Sequence, residues 1–138
     1  AAAGVPVTVV PGITSAISGP AAAGIPVTHR GVTHEFVVAS GHVAPDDPTS
    51  LVDWPALGRL RGTLVLLMAV ERIGLFADTL ITHGRPPDTP VAVIANGTLR
   101  NQQVMHCTLR EAAATVAAAG IRPPAIVVIG PVVALRAP

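Results

Sequence analysis

The sequence predicts an α/β domain built on a mixed, mainly parallel sheet with helices on both faces. Three observations carry that reading. Hydrophobic residues make up 50% of the chain and charged residues only 12%, and runs such as 63–68 and 125–129 are almost wholly apolar, the pattern of strands buried on both faces. Such runs alternate with segments of helical periodicity, as βα units do. Residues 96–108 interrupt the alternation as an antiparallel excursion, which makes the sheet mixed. At 138 residues the chain is long enough for one domain with its own core.

Taken in order, residues 5–10 read as a short apolar strand running into Pro11-Gly12. Residues 14–24 read as a helix of small residues, with Thr14 or Ser15 at its cap and Gly24-Ile25-Pro26 as its stop. Residues 35–40 form the next strand, closed by Gly41-His42, and the proline- and aspartate-rich stretch 43–52 is a loop. Asp53 is placed to cap a short helix reaching Arg61. After the strand at 63–68, residues 71–83 carry Ile73, Phe76, Ala77 and Leu80 at helical spacing, with Gly84 and Pro86 as stop signals.

Residues 91–95 give another strand. Asn96-Gly97 is a turn signal, and residues 102–107 pair back as a strand. Thr108-Leu109-Arg110-Glu111 has the form of a capping box and opens an alanine-rich helix ending at Gly120. The last buried strand, 125–129, is broken by Gly130-Pro131.

Composition excludes several classes. No uninterrupted apolar stretch approaches the ~18 residues of a membrane span, and the start lacks the basic region of a signal peptide. The net charge is +1, every basic residue is an arginine, and these are scattered with almost no aromatic residues between them, which disfavours nucleic-acid binding. The single cysteine, Cys107, leaves no internal disulfide and fits a reducing, cytoplasmic setting. His34, His83 and His106 have no spacing that suggests a metal site. His106 and Cys107 are neighbours on a strand and point to opposite faces, which argues against a Cys–His nucleophile.

Two segments stand out as candidate sites. Pro11-Gly12-Ile13-Thr14-Ser15 lies where a strand meets a helix. In open α/β sheets ligands bind at such carboxyl ends, although on periodicity alone an ordinary turn with an N-cap is the better reading. Thr28-His29-Arg30 is either an anion handle or a surface loop. His42, after a strand and a glycine, is a third residue that can face a cleft.

The segments VVPGIT (9–14) and IPVTHR (25–30), followed in order by LVLLMAVERI, PPDTPVAVIANGT, RPPAIVVIG and VVAL, resemble the tetrapyrrole methylases, most closely members that act on uroporphyrinogen III. The resemblance covers essentially the whole chain. It implies an enzyme of two α/β domains with S-adenosyl-L-methionine between them, released as S-adenosyl-L-homocysteine. This chain would be the C-terminal portion. Residues 1–12 would end the first domain and form the linker, and residues 13–138 would be the second domain.

The implied reaction is C-methylation of uroporphyrinogen III to precorrin-2, on the route to sirohaem or cobalamin. Another precorrin methyltransferase, or a non-catalytic dimerisation module, is the alternative. The resemblance also implies that Thr14, Ser15, Met68, Gly97 and Ala125 contact the methyl donor, and that Thr28, His29 and Arg30 contact the eight-carboxylate substrate. It implies a homodimer and no metal. The family's glycine-rich loops and acid–base residues are not found in this sequence, so no catalytic residue is assigned and the segment alone is expected to be inactive. One departure is Gln102-Gln103, where relatives carry Gln-Arg.

Overall fold

The computed structural model describes residues 3–135. Five strands form one sheet: β1 (Phe36–Ser40), β2 (Thr63–Leu67), β3 (Pro90–Ala95), β4 (Gln103–Thr108) and β5 (Ala125–Ile129), in the order β1-β2-β5-β3-β4. Four α-helices accompany them: α1 (Ser15–Ala22), α2 (Trp54–Arg59), α3 (Ile73–Thr82) and α4 (Ala112–Ala118). Short 3-10 turns occupy Val70–Arg72, Leu109–Glu111 and Pro131–Ala134.

The sheet is mixed, but it is not mainly parallel. Only β1 and β2 pair in parallel, while β2–β5, β5–β3 and β3–β4 are antiparallel. The reason lies in the hairpin after β3. It reverses the chain once, so β4 and β5 run opposite to β1, β2 and β3. β5 then enters between β2 and β3, and each of its pairings becomes antiparallel.

Local chemistry explains most element ends. Thr14 caps α1 by accepting the Ala16 amide at 3.2 Å, and Asp53 caps α2 by accepting the Ala56 amide at 2.9 Å. Thr108 and Glu111 form a reciprocal capping box before α4. Residues 5–10 form no strand: they have no sheet partner among the described residues, and Val5, Val7, Val9 and Val10 stand exposed. Residues 1–4 have the composition of a helix end, and of these Ala1 and Ala2 lie outside the described residues.

Both faces of the sheet are covered. On one, Leu64, Leu66, Val93 and Val127 pack under α2, α3 and α4 through Trp54, Phe76, Leu80 and Val116. The Trp54 and Phe76 ring centroids are 5.0 Å apart. A fully buried side chain such as Phe76 contributes about 1.5–3 kcal/mol. On the other face, Ala92, Ile94 and Val128 meet Ile25, Val132 and Val133, while α1 rests on β5. Arg85 is the one buried cation among the described residues. Its Nη1 donates to the Gly62 carbonyl at 3.2 Å, and burial pulls its pKa below the usual arginine value.

Candidate functional site at the carboxyl edge of the sheet

β1, β2 and β3 end at the same edge of the sheet, where β5 begins. A cleft of about 660 Å³ opens there, at the position where open α/β sheets take ligands. Five segments wall it: the first turn of α1, the turn after β1, the segment after β2, the loop after β3 and the prolines before β5.

Each wall has a local cause. Thr14 fixes the start of α1 through its cap, and the Ser18 hydroxyl donates back to the Thr14 carbonyl at 3.0 Å. This sets Ile13, Ser15, Ser18 and Gly19 along the cleft. After β2 the chain turns sharply: Met68 is left-handed (φ 56°) and 60% exposed. After β3, Asn96 (φ 52°) and Thr98 (φ 70°) are also left-handed.

These are the three non-glycine residues with positive φ among the described residues, and all three line this cleft. Such backbone costs on the order of 1–3 kcal/mol per residue and persists where the surroundings impose it. Here hydrogen bonds hold the loop. The Asn96 amide donates to the Pro124 carbonyl at 3.0 Å. The Thr98 amide donates to Gln102 Oε1 at 2.7 Å, and Gln102 Nε2 donates to the Ala22 carbonyl of α1 at 3.3 Å.

Of the sequence-assigned donor contacts, Ser15, Met68, Gly97 and Ala125 converge on the cleft. Thr14 does not line it and acts as the helix cap beside it. Gly97 lacks the positive φ that its turn suggested, which falls instead on Asn96 and Thr98. A Cβ on Gly97 would meet Gly19 Cα and Ile94 Cγ2 at 3.5 Å each, so a single methyl would fit there against α1.

Thr28, His29 and Arg30 are elsewhere. They line a separate hollow of about 300 Å³ with Thr33 and His34, sharing no residue with the cleft. His29 and Thr33 pair across a tight turn, and His29 Nδ1 donates to the Arg30 carbonyl at 2.9 Å. His42 does line the cleft. Cys107 is half-buried, and burial pushes its thiol pKa up. His106 occupies the next, outward position of β4. Among the described residues no group of three or more His, Cys, Asp or Glu could hold a metal ion, and no helix is long and apolar enough to cross a membrane.

Sequence reasoning missed Arg72, Glu71, Asn96 and Thr98 as wall residues, and the pin role of Gln102. Asn96 was legible only as a turn residue. Arg72 carries no local signal, because its partners lie 30 and 31 residues upstream.

Comparison with known proteins points in one direction. The family model for tetrapyrrole (corrin/porphyrin) methylases matches residues 1–113. The chain is 48% identical over 128 residues to an S-adenosyl-L-methionine-dependent uroporphyrinogen III methyltransferase of Methanosarcina barkeri, covering 93% of this chain and 50% of that protein. It is 46% identical over 133 residues to a uroporphyrinogen-III C-methyltransferase of a Sinorhizobium species, covering 96% and 48%. The crystal structure of uroporphyrin-III C-methyl transferase from Thermus thermophilus, complexed with S-adenyl homocysteine, superposes with a TM-score of 0.80 at 34% identity, covering 97% of this chain and 54% of that one. The chain spans about half the length of these proteins.

Proposed function

The chain belongs to the tetrapyrrole methylases, and from that premise we propose that it supplies one half of a methyltransferase acting on uroporphyrinogen III. The donor is S-adenosyl-L-methionine and the product is precorrin-2, methylated in turn at positions 2 and 7. Residues 13–138 form the second α/β unit, residues 1–12 lead in from the first, and the whole works as a homodimer.

The observation that carries this reading is the convergence of Ser15, Met68, Gly97 and Ala125, from four separate segments, on one cleft braced by left-handed backbone. The residues present fit the donor. Leu67, Ile94, Ala125 and Ile126 give apolar surface for a flat purine, Ser15, Ser18, Asn96 and Thr98 give hydrogen-bonding groups, and Glu71 places negative charge near a cationic ligand.

When bound, the sulfonium supplies an electrophilic methyl group. The protein's task is then alignment and exclusion of water. In this chain the Thr14 cap holds Ser15 in place, and the Gln102 pin holds the 96–98 loop against α1. Thr28, His29 and Arg30 offer donors to the acidic rim of the tetrapyrrole. The groups that move the pyrrole proton belong to the other half, so this chain alone is inactive.

Calorimetry of the full-length protein with S-adenosylhomocysteine tests the reading. Saturable binding that is lost in Gly97→Val supports it. No binding by the wild-type protein would reduce the chain to an assembly module. Turnover of a later corrin intermediate, with none of uroporphyrinogen III, would move the substrate but keep the cofactor.

A further inference from the structure

The cleft has one arginine and no lysine among its lining residues, and that arginine is Arg72. Its guanidinium is anchored by one nitrogen. Nη2 donates to the Gly41 carbonyl at 3.3 Å and also to the His42 carbonyl. Those carbonyls belong to the turn after β1, so the guanidinium ties that turn to the segment after β2. Nε and Nη1 make no hydrogen bond among the described residues.

The surroundings leave those donors available. Asp47 acts on Arg72 through space, but among the described residues no hydrogen bond or ion pair joins the two side chains; Asp47 Oδ1 accepts the Thr49 amide and hydroxyl at 2.8 and 2.6 Å. Glu71, the adjacent carboxylate, lines the same cleft. His42 lines the same cleft, and its backbone amide donates to Ser40 Oγ at 3.3 Å. A guanidinium fixed at one corner, with donors free on a largely apolar wall, is pre-organised for a carboxylate. Arg30 cannot serve here, because it lines the separate hollow.

We propose that Arg72, with His42 beside it, is a carboxylate-binding site on the cleft wall. The proposal rests on the reading of the cleft as a methyl-donor site. The carboxylate has two possible sources, the amino-acid end of the donor or an acidic side chain of the tetrapyrrole.

The test uses the full-length protein, with Arg72→Gln and Arg72→Lys beside wild type. Each is titrated calorimetrically with S-adenosylhomocysteine and with 5′-methylthioadenosine, which lacks the amino-acid end. Initial rates are measured with uroporphyrinogen III varied. If the carboxylate is the donor's, Arg72→Gln weakens S-adenosylhomocysteine binding about 10- to 100-fold and leaves methylthioadenosine unchanged. If it is the tetrapyrrole's, both nucleosides bind as before and KM for uroporphyrinogen III rises by a similar factor.

In either case Arg72→Lys recovers part of the loss, since it keeps the charge without the fork. Equal loss for both nucleosides, or no change in any of the three measurements, overturns the proposal and leaves Arg72 as a brace for the 41–42 turn. A wild-type protein that binds neither nucleoside removes the donor reading and this proposal together.

Discussion

Gly19 of α1 and Gly97 after β3 lie face to face, so close that a Cβ on Gly97 would stand 3.5 Å from Gly19 Cα. This contact joins the helix wall of the cleft to its loop wall. At Gly19 a Cβ would meet Ile126 Cγ1 at 3.4 Å, ordinary contact distance, so α1 rests on β5 and the loop at once.

Gly97→Ala should therefore fold normally, because one methyl makes ordinary contact and the position does not need positive φ. Gly97→Val should not be silent. Its branched methyls overpack the α1 contact at a cost of about 1–3 kcal/mol, and they intrude on the cleft. Urea denaturation and S-adenosylhomocysteine calorimetry on both variants check this. A valine variant with wild-type stability and affinity would show that the contact is loose.

Gly41 is a harsher case. A Cβ there would lie 2.7 Å from Ala69 Cβ, 2.9 Å from Ala69 Cα and 3.0 Å from Phe76 Cζ. Backbone and a buried ring cannot yield cheaply, so Gly41→Ala should cost at least about 1–3 kcal/mol. It should also displace the turn that Arg72 grips. A thermal midpoint within a degree or two of wild type would contradict the packing described at this turn.

Much of the fold was legible because its causes are local. The Thr14, Asp53 and Thr108–Glu111 caps, the apolar run at 63–67 and the hairpin at Asn96-Gly97 each depend on neighbours in sequence. What failed depends on distant partners. Residues 5–10 have strand composition, but a strand needs a neighbour to pair with. The sheet read as mainly parallel because nothing local announces that β5 will insert between β2 and β3. At the site, Met68 and Gly97 were recognisable through family motifs. Arg72 and the role of Gln102 were not, since each acts by reaching a carbonyl 30 or more residues away.

Gln102 gives the third prediction. One amide side chain accepts from left-handed Thr98 and donates to the last turn of α1. Gln102→Ala removes both bonds and releases the 96–98 loop. Net hydrogen bonds contribute about 0.5–1.5 kcal/mol each, so a total loss of about 1–3 kcal/mol is expected. The loss should divide between stability and S-adenosylhomocysteine affinity. Gln102→Glu keeps the acceptor for the Thr98 amide and loses the donor to Ala22, and should fall between. If Gln102→Ala lowers stability and leaves affinity untouched, the pin is structural and does not shape the cleft.

The capping box before α4 supplies a pH-dependent prediction. Glu111 Oε2 accepts the Thr108 hydroxyl at 2.6 Å and the Thr108 amide at 3.0 Å. These bonds, the hydroxyl's first and the amide's second, hold the Glu111 carboxyl below the usual glutamate value. In the unfolded chain the same carboxyl takes a proton near pH 4.3. Below that pH the unfolded state binds more protons from this group than the folded state does, so stability rises with pH across the interval. The contribution is complete above the unfolded value and is lost as pH falls through the folded one. Glu111→Gln keeps an oxygen acceptor but does not titrate. Asp47, held down in the same way by Thr49, is present in both proteins and cancels from their difference. Denaturation curves from pH 3 to 7 should show wild type ahead of Glu111→Gln by a constant margin at neutral pH, with the margin closing on acidification below about pH 4.3. A margin that stays constant, or widens, as pH falls would mean that the charged form of Glu111 gains nothing from Thr108.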